Sequence, residues 1–347
     1  MDWRNPDDYR LYYASQLGNV RVVKEMLAAG ANPFAHDNWA LQGAIDNGHT
    51  EVVKVLLVAG EDSGRLEILP TIDAKSLARY NFTLQGAARY GRAEIIKVLL
   101  EADTFHCTDS WGAIQCAARY GHSDVVKMLI AVSTKDTAKC NEAMRLSVQG
   151  GHLAVVKELV AAGAGVNAVL RVAVQNNHLE IVKVLLDAGA DEHRRNDFIL
   201  DIAVLSEQVE IVKVLLDAGA NVHDGFKRTL QFAVEYEHLE IAKLLLAAGI
   251  NVNDSYQNIL HIAVGKRNLQ LVQMLLAADA DVFAEDHFAL RLAVRNGNRE
   301  IAAAIAFNYT RDALQDLQET LQNPLLDEII AQHMPRGSRT KVALRDN

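Results

Sequence analysis

Histidine recurs at one position of an internal pattern in this chain of 347 residues. The five occurrences are His49, His122, His152, His178 and His238. An imidazole can bind a transition metal, or act as a general acid and base near neutral pH. Equivalent positions of a stacked repeat lie in a row, however, and do not converge on one point. The pattern therefore predicts structural histidines in turns and no metal site.

Other signatures of catalytic chemistry are absent from the sequence. There is no glycine-rich phosphate loop, no HExxH motif and no nucleophile motif based on Ser, Thr or Cys. Acidic residues are scattered, and their spacing forces no pair of carboxylates together. Cys107, Cys116 and Cys140 are too few for a disulfide framework and wrongly spaced for zinc, which predicts small buried side chains in a reducing compartment. We expect neither an enzyme nor a bound cofactor.

Arginine and tyrosine occur together at the same position of two consecutive copies of the pattern. The pairs are Arg89-Tyr90 and Arg119-Tyr120. Arg and Tyr are the residue types that contribute most to the energy of protein interfaces, so the pairs predict a binding site. Duplication of a repeat without selection for binding is the alternative.

Aromatic residues also recur two or three residues before the first apolar position of a copy. They predict either packing within the connecting loops or exposed anchors for a partner, and they are Trp39, Phe82, Trp111, Phe198 and Phe288. The full set of predicted partner-binding residues is Arg89, Tyr90, Arg119, Tyr120, Tyr236, Trp39 and Trp111.

These residues belong to a motif that occurs ten times. It runs Leu-x-x-Ala-[Ala/Val/Ile]-x-x-Gly-His-x-x-[Ile/Val]-[Ile/Val]-Lys-x-Leu-Leu-x-x-Gly, and most copies begin 30 residues apart. The first apolar residues of the copies are Leu11, Leu41, Leu84, Ile114, Met144, Leu170, Leu200, Leu230, Leu260 and Leu290. A unit of this size with two short helices cannot bury its own apolar face, so it must stack on further copies as an all-α solenoid.

The apolar spacing within one copy is helical. In the seventh copy, Leu200, Ala203 and Val204 lie at i, i+3 and i+4 and give the first helix an inner stripe. A second stripe begins at Ile211 after a break at Glu207-Gln208. Glycines after the second stripe predict left-handed helix ends, and they are Gly30, Gly60, Gly163, Gly189, Gly219 and Gly249.

The segments HLEIVKVLLDAGADEH (178–193) and VEIVKVLLDAGANVH (209–223) resemble the second helix and exit turn of ankyrin repeats. The resemblance covers about residues 5–307 and implies helix-turn-helix repeats with partners bound on the concave side, where the Arg-Tyr positions would lie. Only Leu260-His261 keeps half of the family's Thr-Pro-Leu-His motif. The repeat is three residues shorter than the family's period of about 33, which predicts shortened fingers, the β-hairpin loops that connect successive repeats. This short form is similar to arrays found in large DNA viruses, amoebae and intracellular bacteria.

Two stretches interrupt the regular pattern. An insertion at 61–79 predicts an elongated finger folded on its neighbours, or else a docking element for a partner. After the last copy, Leu314, Leu317 and Leu321 predict an amphipathic helix, and Leu325 begins a second one. We expect a repeat array over 1–310, a C-terminal helical cap over 311–333 and a mobile tail over 334–347. Partner recruitment by the terminal helices is the alternative to a cap.

Composition narrows the partners and the compartment. The net charge of −9 is spread along the chain without a strongly basic segment, which disfavours nucleic acid. No apolar run is long enough for a membrane span, and MDWRNPDDYR lacks the features of a secretory signal. We expect a location in the cytoplasm, including the cytoplasm of a host cell.

The sequence as a whole predicts a non-enzymatic module that binds a partner protein and occludes or scaffolds it, as a viral or bacterial effector would. One alternative is a binder of a small anionic ligand or nucleotide at Arg89 and Arg119. The other is an adaptor that recruits a second protein through its C-terminal helices.

Overall fold

A computed structural model describes residues 6–33, 35–62, 74–101, 110–133, 136–190, 199–219, 228–253 and 258–333. All regular secondary structure in these ranges is helical, which confirms the predicted fold class. The chain divides into two compact units, Met1–Ala190 (unit 1) and Asp191–Asn347 (unit 2).

Unit 1 consists of six helix pairs. Its helices are α1 (Pro6–Gln16), α2 (Val20–Ala28), α3 (Ala35–Asn47), α4 (Thr50–Asp62), α5 (Ala74–Arg89), α6 (Ala93–Glu101), α7 (Trp111–Tyr120), α8 (Ser123–Val132), α9 (Thr137–Gln149), α10 (Leu153–Ala161), α11 (Asn167–Gln175) and α12 (Leu179–Asp187).

Unit 2 consists of four helix pairs and two further helices. Its helices are α13 (Ile199–Leu205), α14 (Val209–Asp217), α15 (Thr229–Glu235), α16 (Leu239–Ala247), α17 (Ile259–Lys266), α18 (Leu269–Ala277), α19 (Ala284–Arg295), α20 (Arg299–Ala306), α21 (Arg311–Leu321) and α22 (Pro324–His333). None of the helices described in either unit is both long and apolar enough to cross a membrane.

Each unit is built in two layers. In unit 1, every first helix of a pair packs on the first helix of the next pair, and the second helices pack on one another in the same order. In unit 2, α13, α15, α17 and α19 form the first layer, while α14, α16, α18 and α20 form the second. Neighbouring pairs therefore bury the apolar stripes that a single pair would leave exposed.

The core consists of the periodic apolar positions of the motif. In the second pair, Leu41, Ala44 and Ile45 of α3 are at most 4 % exposed, and Val52 and Val53 of α4 are fully buried. The alanine of this position is fully buried in other copies as well, where its small side chain allows close approach of the helices: Ala87, Ala117, Ala173, Ala203, Ala233, Ala263 and Ala293.

Glycine follows five of the ten described second helices, as predicted. Gly30, Gly163, Gly189, Gly219 and Gly249 have φ between 83° and 92°, a region that a side chain disfavours. The prediction for Gly60 was wrong, because α4 continues through it to Asp62.

The insertion is helical at its C-terminal end. Residues 63–73 lie outside the described residues, but α5 begins at Ala74 and is 16 residues long. The last part of the predicted insertion therefore extends the first helix of the third pair. The finger between α10 and α11 is short, with only residues 162–166 between the two helices.

The last two helices follow the tenth pair. Helix α22 packs on α20 and α21 packs on α22, so α22 continues the layer of second helices. Leu314 and Leu317 of α21 and Leu326 and Ile329 of α22 are buried. Arg299 of α20 forms an ion pair of 2.5 Å with Glu328 of α22. These contacts join α22 to the tenth pair and α21 to α22. The role of a cap stays a prediction, and the predicted tail at 334–347 lies outside the described residues.

Candidate functional site

In the second to fifth pairs, the residue that precedes the second helix bonds to the preceding helix pair. The Nε2 atom of His122 donates to the carbonyl of Arg89 at 3.0 Å, and that of His152 donates to the carbonyl of Arg119 at 2.9 Å. Since a carbonyl only accepts, Nε2 carries the hydrogen in both rings. The preceding pairs have equivalent bonds, from His49 Nε2 to the Gln16 carbonyl at 2.9 Å and from Arg92 Nη2 to the Asp46 carbonyl at 2.8 Å.

The same histidines also pack against glycine. Gly121 has φ of 84°, and a Cβ atom there would lie 2.6 Å from Nδ1 of His152. A larger residue at this position would therefore displace the ring. The histidines join neighbouring repeats, which is a more specific structural role than the turn that the sequence predicted. His178 and His238 are exceptions, because their buried Nε2 atoms have no hydrogen-bond partner in the structure.

The two Arg-Tyr pairs lie together in space. Arg89 and Arg119 end or nearly end the neighbouring helices α5 and α7, which pack on each other. The Cζ atom of Arg89 lies 5.8 Å from the ring centroid of Tyr90 and 5.5 Å from that of Tyr120. Both distances are within the range of cation–π attraction. All four side chains are exposed, and each tyrosine is 46 % exposed. We call these four residues the Arg-Tyr cluster.

The next first helix adds a charged pair beside the cluster. Arg145 of α9 binds Glu142 through two hydrogen bonds of 2.6 and 2.9 Å, and it donates to Gln149 at 3.0 Å. The hydrogen bond from Arg145 lowers the pKa of Glu142, and the charge of Arg119 lowers it further. Glu142 is therefore ionised and already neutralised by Arg145.

Cys116 of α7 lies close to both arginines of the cluster. Burial raises the pKa of its thiol, and the charges of Arg119 and Arg89 oppose this shift without reversing it. A thiol with a raised pKa is a poor nucleophile at neutral pH. The cluster thus contains cations and aromatic rings but no activated nucleophile.

The other predicted partner-binding residues differ in exposure. Tyr236 is 56 % exposed at the end of α15, and its ring stacks on His238 with centroids 6.0 Å apart. It belongs to unit 2, whereas the Arg-Tyr cluster belongs to unit 1. Trp39 is 37 % exposed, but Trp111 is only 5 % exposed. The prediction of Trp111 as a partner contact was wrong, because its side chain is buried at the start of α7.

Trp39 belongs to an aromatic group that the sequence analysis missed. Its ring centroid lies 5.8 Å from that of Tyr12, which lies 5.4 Å from that of Tyr13. Tyr9 donates a hydrogen bond of 2.6 Å to Tyr13, and both are exposed. The spacing of Tyr9, Tyr12 and Tyr13 at i, i+3 and i+4 is the signal that could have identified one aromatic face on α1.

A groove of about 290 Å³ lies between α19 and the end of α21. Its lining includes Phe288, Arg291 and Arg295 of α19 and Leu321 of α21. Arg291 is bound to Asp286 at 2.6 Å. Among the residues that the structure describes, no group of three or more His, Cys, Asp or Glu is placed to hold a metal ion.

Comparison with known proteins identifies the family of the chain. A sequence model of ankyrin repeats (3 copies) matches residues 84–169, 144–225, 170–255 and 230–316, which together exceed half of the chain. The chain belongs to the ankyrin repeat family. A model of the single ankyrin repeat matches residues 10–38 as well. The resemblance of the 178–193 and 209–223 segments to ankyrin repeats is thereby confirmed.

The crystal structure of the human ASB11 ankyrin repeat domain is similar, with 22 % sequence identity and a TM-score of 0.46 over 55 % of this chain and 90 % of that chain. A search of curated protein sequences found no match. Ankyrin repeats generally mediate protein–protein interactions, which is consistent with the exposed Arg-Tyr cluster.

Proposed function

We propose that this ankyrin repeat protein binds a folded partner protein on the first helices of unit 1, with the Arg-Tyr cluster at the centre of the interface. The partner would be occluded or scaffolded, and no bond would be made or broken. Tyr9, Tyr13 and Trp39 belong to the first helices of the two preceding pairs and would extend the same interface.

The observation that supports this proposal is the exposure of the Arg-Tyr cluster to solvent. Arg and Tyr at these exposed positions are not needed for the stacking of repeats, since the sixth pair has Gln175 and Asn176 there. The tyrosine rings hold Arg89 in place before a partner arrives, which lowers the conformational entropy lost on binding. Arg and Tyr together are enriched at interface hot spots.

The alternatives have less support from the described residues. A small anionic ligand needs a concave pocket that covers most of its surface, whereas the cluster is open to solvent. An adaptor helix needs exposed apolar residues, whereas Leu314, Leu326 and Ile329 of the terminal helices are buried.

The test is affinity purification with the full-length protein and a variant in which Arg89, Tyr90, Arg119 and Tyr120 are all Ala. Exposed substitutions change stability by about 0.5 kcal/mol or less each, so the variant should melt nearly as the wild type does. Affinity for the recovered partner should fall by at least about 2 kcal/mol, roughly thirtyfold, if the four residues are hot spots.

The matched control is the variant Gln175→Ala/Asn176→Ala, which changes the same two positions of the sixth pair. It should recover the same proteins as the wild type. Equal recovery by the quadruple variant would place the binding site elsewhere, with the 61–79 insertion as the next candidate.

A further inference from the structure

The two arginines of the cluster have no acidic partner among the residues that the structure describes. This is unusual in an acidic chain with a net charge of −9. Basic residues on the second helices of unit 1 are commonly paired, as in Arg21–Glu25 at 2.9 Å, Lys54–Glu51 at 2.7 Å, Lys97–Glu101 at 3.8 Å and Lys127–Glu158 at 4.0 Å. The first-helix side of the third and fourth pairs therefore has an excess of positive charge.

Glu142, whose pKa is lowered by the Arg145 hydrogen bond and by the charge of Arg119, does not remove this excess. Glu142 is held by both guanidinium hydrogen bonds of Arg145. The four charges of Arg89, Arg119, Glu142 and Arg145 sum to +2. The bidentate pair also shows the geometry in which a guanidinium binds a carboxylate on this surface.

The aromatic contacts of Arg89 leave its hydrogen-bond donors available. Attraction to the faces of Tyr90 and Tyr120 depends on the charge of the guanidinium and uses none of its N–H groups. The backbone of both arginines is fixed by the histidine bonds to their carbonyl groups. The cluster thus presents two guanidinium forks on a fixed backbone, and that of Arg89 is also held by the two rings. Each fork can donate hydrogen bonds to a carboxylate.

We propose that the partner docks an acidic segment on this cluster, with one carboxylate on Arg89 and a second on Arg119, while the rings of Tyr90 and Tyr120 cover the apolar parts of the segment. The proposal rests on the proposed function and specifies the chemistry of the partner. Packed helix axes lie about 8–10 Å apart, which an extended chain at about 3.3 Å per residue spans in about three residues. An acidic residue at every third position would fit both forks.

The probe for this proposal is a fluorescein-labelled glutamate homopolymer of about ten residues, long enough to span both arginines. Anisotropy should show binding to the full-length protein that weakens as salt rises to about 0.5 M, because exposed charges are then screened. The matched glutamine homopolymer should not bind. A second measurement tests whether the probe lies at the cluster. Alkylation of Cys116 by iodoacetamide, followed by peptide mass spectrometry, should be slower when the glutamate probe is bound, with buried Cys140 as the internal reference.

The decisive comparison is between two double variants with the same change in net charge. Arg89→Gln/Arg119→Gln should lose at least about tenfold in affinity for the glutamate probe, since charge-assisted hydrogen bonds are lost. Lys97→Gln/Lys127→Gln, on the second helices of the same pairs, should bind nearly as the wild type does. Arg89→Lys/Arg119→Lys keeps the charge but loses the fork, and it should fall between the two.

Several results would overturn the proposal. Equal weakening in both glutamine variants would show attraction by net charge alone. Competition by millimolar inorganic phosphate, without protection of Cys116 by the glutamate probe, would indicate a small-anion site.

Failure of this proposal can be separated from failure of the proposed function. If the glutamate probe does not bind but the captured proteins still require the Arg-Tyr cluster, the acidic segment is wrong and the interface stands. If the quadruple alanine variant captures the same proteins as the wild type, the proposed function fails as well.

Discussion

At the residue scale, the bond between a histidine and the preceding repeat connects fold and site. His122 fixes the carbonyl of Arg89, and Arg89 in turn contacts Tyr90 and Tyr120. In the sequence, the recurrent histidines and the predicted binding residues are separate groups. In the structure, His122 and His152 hold the backbone of Arg89 and Arg119.

The histidine bond can be tested by comparing His122→Ala with His178→Ala. Both rings pack against a glycine of the preceding repeat, but only His122 bonds a carbonyl. Loss of one such bond costs about 1 kcal/mol, so His122→Ala should be the less stable variant by that amount in urea denaturation. Amide exchange near residues 89–92 should also be faster. Equal stability of the two variants would mean that the ring contributes to the free energy of unfolding through packing and not through the hydrogen bond.

A buried carboxylate in unit 2 gives a pH-dependent prediction. Asp201 is 6 % exposed and accepts a hydrogen bond from Thr229. Burial raises its pKa, and the Thr229 bond and the Arg228 charge oppose the shift. The folded state therefore holds this proton more tightly than the unfolded state, whose Asp pKa is about 3.9. The stability linked to Asp201 is present below that value and is lost as pH rises through the folded pKa.

The substitution Asp201→Asn removes this titration and retains an oxygen for Thr229 to bind. The variant should be more stable than the wild type at pH 7, and the difference should shrink towards pH 4. Asp217→Asn, at an exposed position of the same repeat, should show no such trend. A constant difference across this range, measured by thermal unfolding, would contradict the assignment.

At the element scale, helices α21 and α22 follow the last repeat of the array. A last repeat exposes the apolar face that the next repeat would cover. Tyr309 connects α20 to α21, and its hydroxyl donates to the carbonyl of Val282 at 2.8 Å and accepts from His287 Nδ1 at 3.1 Å. Burial raises the pKa of Tyr309, so the hydroxyl keeps its proton throughout the physiological range.

Truncation after residue 310 should cause aggregation or fraying of the tenth pair. Each buried Leu or Ile side chain contributes about 1.5–3 kcal/mol, and the truncation removes several, including Leu326 and Ile329. The control is truncation after His333, which retains α21 and α22. Light scattering measures the aggregation, and thermal unfolding measures the loss of stability. A monomeric protein with an unchanged melting temperature would favour partner recruitment by these helices.

At the scale of the whole molecule, the repeats predict a protein that is rich in helix and without bound metal. Far-UV circular dichroism should show a helical spectrum with little strand, because the described residues contain no strand and ten helix pairs. Elemental analysis of the purified protein is the matching measurement for metal. A stoichiometric metal would contradict the structural role assigned to the recurrent histidines.

The sequence alone determined the repeat, the helix pairs and the glycine ends of five second helices. These features depend on local spacing, such as Leu200, Ala203 and Val204 on one face of a helix, or on a residue's own backbone preference, such as Gly30 at positive φ. It also identified the Arg-Tyr pairs, because residues at equivalent positions of adjacent repeats become neighbours when the repeats stack.

Only the tertiary structure decided which side chains remain exposed and what they contact. Trp39 and Trp111 occupy similar positions in the sequence, yet Trp111 is buried by its neighbours while Trp39 stays exposed beside Tyr12. The sequence likewise does not show that Arg145 neutralises Glu142, which leaves Arg89 and Arg119 without an acidic partner among the described residues. Burial and charge pairing depend on contacts between repeats, and a period of 30 residues does not encode them.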